Sequence, residues 1–186
     1  LEMLAGTIPD RIAFIQGDKE LTWEQFNERV NKLANAFLDL ELKKEDRIAI
    51  MGFNCIEWME SYFAASRMGA VPVNVNARFV LHEIKYVLEN SDSVALVLER
   101  EAVEAVKQAR KELPLLKHCI VWGEAQGDML SYDELMEKYP DTKPRLDWNV
   151  TNEDFCFLFY TGGTTGYPKG TVWDYENRDG GLDMIM

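Results

Sequence analysis

The sequence predicts an α/β protein whose mostly parallel sheet is flanked by helices on both faces. Three observations carry this. Short apolar runs alternate with helical patterns from Arg47 to Trp122. The connections between them are short, as in right-handed βαβ units. The runs are also nearly continuous in apolar residues, which is how strands read when helices cover both sides.

The elements follow in order. Ile12 to Thr22 reads as a hairpin turning at Gly17-Asp18. Thr22 reads as a helix N-cap with Gln25 as its capping-box partner. The helix carries Phe26, Val30, Leu33, Phe37 and Leu40 on one face. Arg47 to Met51 is a strand. Ile56 to Met68 is a helix with Trp58, Tyr62 and Ala65 on one side, ended by Gly69, which accepts a left-handed backbone. Strands at Val71 to Val75, Val94 to Leu98 and His118 to Trp122 alternate with helices at Leu81 to Asn90 and Arg100 to Glu112. Gly123 to Asp154 is polar and holds Pro140 and Pro144. It reads as a surface connection with one short helix, Ser131 to Tyr139, opened by Ser131 and Glu134. Phe155 to Tyr160 has the apolarity of a buried helix or a strand; its length and the glycines after it favour the strand.

Bulk properties exclude several classes. The 186 residues carry a net charge of −12, against any long-range attraction to nucleic acid or an anionic membrane. Cys55, Cys119 and Cys156 are too far apart for a metal knuckle or a redox pair. They read as buried thiols suited to a reducing cytoplasm. His82 and His118 have no partners in sequence for a metal site or a nucleophile triad. No run approaches the roughly 20 apolar residues of a membrane span.

The chemistry concentrates in Thr161-Gly162-Gly163-Thr164-Thr165-Gly166-Tyr167-Pro168-Lys169-Gly170. Glycines at 162, 163 and 166 let the backbone turn tightly and approach a ligand. Successive N–H groups in such a turn form an anion-binding nest. Thr161, Thr164 and Thr165 add hydroxyls for phosphate oxygens or a magnesium ion, and Lys169 adds a mobile positive charge. A Gly/Thr-rich turn can equally be a plain surface turn. Its place after an apolar strand, with a lysine at the exit, favours phosphate. It is not the common P-loop, because Pro168 precedes Lys169 and Gly170 follows it. Nor does it match the dinucleotide fingerprint.

The stretch from Tyr160 to Gly170 closely resembles the phosphate-loop signature of the AMP-forming acyl-CoA synthetases, members of the adenylate-forming superfamily. The resemblance extends upstream. Leu21-Thr22-Trp23 resembles an early helix start of that family, and Asp46 to Ile50 one of its strands. Asn54, Glu57 and Trp58 match a helix start; Gly69 to Asn74, with Arg78 beyond, matches a further strand. Asp154 stands where the family has an acidic residue before its strand. Two features depart from the pattern. Gly162 replaces a common serine, and Asp174 and Tyr175 replace a hydroxyl residue and a histidine.

The resemblance implies that the chain is the N-terminal part of the large domain of such an enzyme. Residues 1–150 would form an α/β subdomain. Residues 151–186 would hold a strand, the phosphate loop and the start of a following element. It implies ATP, Mg²⁺ and coenzyme A as cofactors and a fatty or related carboxylic acid as substrate. Thr161, Gly162, Gly163, Thr164, Thr165, Gly166 and Lys169 would bind the ATP phosphates, with Thr165 meeting magnesium through a phosphate. The family's remaining catalytic groups lie downstream of the loop, so no catalytic set is complete here and the isolated chain is expected to be inactive. An apolar face left bare would favour self-association. Two other readings stay open: a free-standing α/β module that binds phosphate or serves only as structure, and an unrelated nucleotide-hydrolysing domain. The missing Gly-Lys-Ser/Thr triplet argues against the second.

Overall fold

The computed structural model describes residues 1–161 and 167–175. After a short helix α1 (Glu2–Thr7), strands β1 (Ile12–Gln16) and β2 (Lys19–Thr22) pair antiparallel as the expected hairpin. Gly17 takes the positive φ of 60° that the turn demands. Helix α2 (Trp23–Asp39) begins with the expected capping box. Thr22 Oγ1 accepts the Gln25 N–H at 3.2 Å, and Gln25 Oε1 accepts the Thr22 N–H at 3.0 Å. Its face of Phe26, Val30, Leu33 and Phe37 is fully buried. Leu40 falls just past the helix, as its C-cap.

The sheet follows as β3 (Arg47–Met51), α3 (Ile56–Arg67), β4 (Val71–Val75), α4 (Leu81–Asn90) and β5 (Ser93–Leu98). A 3₁₀ turn at Arg100–Ala102 leads into α5 (Val103–Arg110). Then come β6 (His118–Val121), β7 (Leu130–Ser131), α6 (Tyr132–Lys138), β8 (Phe155–Thr161) and β9 (Lys169–Asp174). Among the described residues the main sheet has seven strands, ordered β7-β6-β5-β3-β4-β8-β9. Every neighbouring pair is parallel except β8 and β9.

Successive side chains enter two cores, as the period of two requires. Ile48, Ala95, Val97 and Ile120 pack with α2, α3 and α6. Ala49, Met51, Leu96, Leu98, Cys119 and Val121 pack with α4 and α5. The chain reverses crossover direction after β4, moving back past β3 to reach β5. Right-handed connections in opposite directions put α3 and α4 on opposite faces.

One reading of the sequence needs correction. Residues 123–154 do more than cross the surface: Leu130–Ser131 pairs parallel with β6, and Tyr132, Leu135 and Met136 are buried. A two-residue strand is too short to leave a periodicity. The stretch after Pro140 is tied down by side chains from α2. Asn31 Nδ2 donates to the Asp141 carbonyl at 2.7 Å, and Asn35 Nδ2 to the Pro140 and Thr142 carbonyls at 3.0 and 2.9 Å. In α3 the buried set is Ile56, Glu60, Ser61, Ala64 and Ala65, with Trp58 and Tyr62 only half-buried. Glu60 is fully buried because Arg29 of α2 and Tyr132 of α6 both donate to its carboxylate. Thr171 to Asp174 pair with β8 as part of β9, and Tyr175, directly after Asp174, is helical.

Candidate functional site

The carboxyl ends of β3, β4 and β8 open together into a crevice of about 760 Å³. In open parallel sheets ligands bind at this edge, next to the point where crossovers change direction. The lining comes from three connections: Gly52, Phe53 and Asn54 after β3, Asn74 to Phe79 at the end of β4 and beyond, and Phe159 and Tyr160 of β8.

Each part has a local cause. Gly52 sits under Trp122, so close that a Cβ there would overlap the indole ring. The next N–H, of Phe53, is accepted by Glu99 Oε2 at 3.1 Å, which holds this turn beside β5. Asn76 Oδ1 accepts the Arg78 N–H at 2.9 Å, a side-chain turn two residues long. The exposed Arg78 guanidinium lies 5.9 Å from the centre of the Phe53 ring, so these two residues close one wall. The crevice therefore offers amide groups from Asn54, Asn74 and Asn76 and one guanidinium, which suits a polar, anionic ligand.

On the other wall, β8 runs into the sequence singled out for phosphate. Thr161 pairs with Lys169 and Tyr160 with Gly170 in the β8–β9 register. The flanks of the glycine–threonine segment, Thr161 and Lys169, thus lie side by side in an antiparallel pair at the carboxyl edge of the sheet. Lys169, exposed, opens β9 opposite Thr161. Gly162, Gly163, Thr164, Thr165 and Gly166 lie outside the described residues. Tyr160 is buried, and its phenol donates to Asn90 Oδ1 at 2.7 Å. Burial, with Tyr86 and Asp92 nearby, pushes that phenol up to about 12, so it remains a donor at neutral pH. Asp154, just before β8, is buried; it accepts the Thr151 N–H at 2.6 Å and pairs with Lys44 at 2.8 Å. The Lys44 ammonium and that N–H hold its carboxyl below the usual carboxylate range.

Asn74 and Phe159 also border a second, apolar slot of about 370 Å³ on the α3 side of the sheet. Trp58, Tyr62, Phe157 and Trp173 line it; the Trp58 and Tyr62 rings stack at 5.9 Å and those of Phe157 and Trp173 at 5.6 Å.

Sequence reasoning named the loop but not Gly52, Phe53 or Asn76 as site residues. They carry no motif of their own. The rule that ligands gather beyond the carboxyl ends of parallel strands would have found them. Among the described residues no group of three His, Cys, Asp or Glu side chains could hold a metal ion, and Thr165, expected to meet magnesium through a phosphate, lies outside them. Cys55 caps α3, its Sγ accepting the Trp58 N–H at 3.3 Å, and burial pushes its thiol up to about 11. It is therefore no ready nucleophile. No helix among the described residues is long and apolar enough to cross a membrane.

Comparison with known proteins agrees with this architecture. The chain is 37% identical over 181 residues to a medium/long-chain-fatty-acid–CoA/3-oxocholest-4-en-26-oate–CoA ligase of Mycolicibacterium smegmatis, covering 95% of this chain and 32% of that protein. It is 33% identical to a 3-oxocholest-4-en-26-oate–CoA ligase of Rhodococcus rhodochrous, again over 95% of this chain and 32% of the relative. The chain thus spans about a third of the length of these relatives. The anthranilate CoA ligase AuaEII, solved with anthranoyl-AMP, superposes with a TM-score of 0.86 at 27% identity, over 94% of this chain and 34% of that one. MbtA of Mycobacterium smegmatis superposes with a TM-score of 0.87 at 27% identity, over 95% and 33%. The family model for AMP-binding enzymes matches residues 1–178, and the chain belongs to that family.

Proposed function

We propose that this chain supplies the phosphate-binding element of an ATP-dependent carboxylate–CoA ligase. In that reaction a substrate carboxylate attacks the α-phosphorus of ATP. The bond to the pyrophosphate oxygen breaks, and the thiol of coenzyme A later takes the acyl group as AMP leaves. The observation that carries the reading is the Thr161–Lys169 pairing, which brings both ends of the glycine–threonine segment to the carboxyl edge of the sheet, beside the crevice. Thr161, Gly162, Gly163, Thr164, Thr165, Gly166 and Lys169 would receive the β- and γ-phosphates. Backbone N–H groups and the Lys169 ammonium would stabilise charge that grows on pyrophosphate as it departs. Magnesium would meet Thr165 through a phosphate and neutralise charge on the departing pyrophosphate.

The printed substrates of the relatives, fatty acids and a steroid acid, favour an apolar carboxylic acid here. Residues 1–150 serve as the α/β scaffold and 151–186 as the phosphate-loop segment. The 186-residue chain by itself is expected not to form an adenylate. The three cysteines, not joined in disulfides, suit the cytoplasm. Phe155, Phe159 and Val172, exposed on β8 and β9, favour self-association at high concentration.

The test is calorimetric titration of the 186-residue chain with pyrophosphate and with ATP. Binding is expected, and Lys169→Ala should weaken it roughly ten- to a hundredfold, the loss of one charge-assisted hydrogen bond. Absence of binding, or equal binding by Lys169→Ala, would overturn the reading. ATP–pyrophosphate exchange by the isolated chain would overturn its expected inactivity.

A further inference from the structure

Helix α4 touches the β8–β9 hairpin on both sides of the glycine–threonine segment. Asn90 accepts the Tyr160 phenol at 2.7 Å, before the segment. Tyr86 stacks on Tyr167, after it, with ring centres 4.5 Å apart and planes inclined by 29°. Tyr86 and Asn90 are four residues apart on one helix, so they share a face and act as two posts of one support. The rest of the stem fits this use. Pro168 is buried directly after Tyr167, and the Tyr160 ring lies over Gly170, where a Cβ would come 3.1 Å from Tyr160 Cζ.

Burial does not account for the Tyr86–Tyr167 pair. Tyr167 is 62% exposed, so the stack removes little apolar surface from water. What it does is set where the chain leaves the segment and enters Pro168 and Lys169.

We propose that Tyr86 and Asn90 are positioning residues for the phosphate loop, holding its exit through Tyr167 and its entry through Tyr160. This rests on the phosphate-binding reading above. A nest of N–H groups binds an anion only when its ends are held at one separation. Holding them beforehand reduces the ordering cost that the ligand must otherwise meet.

The test is titration of pyrophosphate, without metal, into the 186-residue chain and its variants, alongside thermal unfolding followed by circular dichroism. Tyr86→Ala and Tyr167→Ala should each weaken pyrophosphate binding roughly two- to tenfold, the range an aromatic pair contributes. The double variant should be no weaker than the singles within about twofold, because both remove one contact. Tyr86→Phe, which keeps the ring, should restore wild-type affinity. Tyr167 is exposed, so Tyr167→Ala remains informative even where Tyr86→Ala impairs folding. Unchanged affinity in Tyr167→Ala or in a folded Tyr86→Ala, while the wild type binds, overturns the positioning role, even if unfolding shifts. So do strictly additive losses in the double variant. A wild type that takes up no pyrophosphate removes the phosphate reading itself and this inference with it.

Discussion

The phenol of Tyr132 donates a hydrogen bond to Glu60, a carboxylate 72 residues earlier in the chain with no exposed surface. Arg29 makes the second contact to the same carboxylate, so α2, α3 and α6 meet at one buried polar point. Tyr132→Phe keeps the ring and leaves a buried oxygen short of a donor. It should destabilise the fold by about 1–3 kcal/mol, read from urea unfolding. Glu60→Ala should cost more, since it strands Arg29 against the core. A Tyr132→Phe chain as stable as wild type would show that the network carries no net stability.

The buried acids give a direction for alkaline stability. Burial pushes the Cys119 thiol from 9.0 up to about 11 and, first among its causes, the Tyr160 phenol from 10.0 up to about 12. Burial, and then Glu60, also raise Tyr132 well above its usual value. In the unfolded chain these groups lose their protons first. Stability from them is therefore complete below the unfolded values and falls as pH rises through the folded ones. The melting temperature should drop between about pH 9 and about pH 12, from the unfolded value of Cys119 to the folded value of Tyr160. An unchanged melting temperature over that interval would rule this out.

Two glycines should resist a methyl group for different reasons. At Gly52 the added carbon would overlap the Trp122 ring, forcing the floor of the crevice to move. At Gly69, φ is +76° and the carbon would sit 2.8 Å from Val150 Cγ2. Gly69→Ala should cost about 1–2 kcal/mol from the left-handed backbone alone. Gly52→Ala should cost about 1–3 kcal/mol as overpacking and should also weaken ligand binding in the crevice. Denaturation midpoints together with ATP titration separate the two, because Gly69→Ala should leave affinity unchanged.

The segment after α6 depends on one side chain more than its polarity suggests. Asn35 donates to two of its carbonyls, and losing both bonds should cost about 1–2 kcal/mol. Asn35→Ala should also speed tryptic cleavage after Arg145, because the strap opens locally before the domain does. Equal cleavage rates in wild type and variant would show that the strap is held by other contacts, such as Trp148 Nε1 on the Met68 carbonyl at 2.7 Å.

Much of this protein was legible locally. The βαβ alternation, the Thr22–Gln25 box and the turn at Gly69 depend on residues a few positions apart, so spacing alone revealed them. The phosphate expectation for the glycine–threonine segment also came from consecutive residues, of which 162–166 lie outside the described ones. Other features had no local signal. Glu60 looks like any solvent-facing helix glutamate until Arg29 and Tyr132 arrive from other helices. Phe53 and Asn76 become neighbours only when β3 and β4 lie side by side. Tyr86 and Tyr167, far apart in sequence, meet only because α4 and β8 pack together. By itself, then, the sequence determined most of the elements and the sheet class, since these follow from backbone preferences and periodicity. The tertiary structure alone decided which side chains line the crevice at the carboxyl edge of the sheet, because strand order and crossover direction bring together residues that no sequence spacing relates.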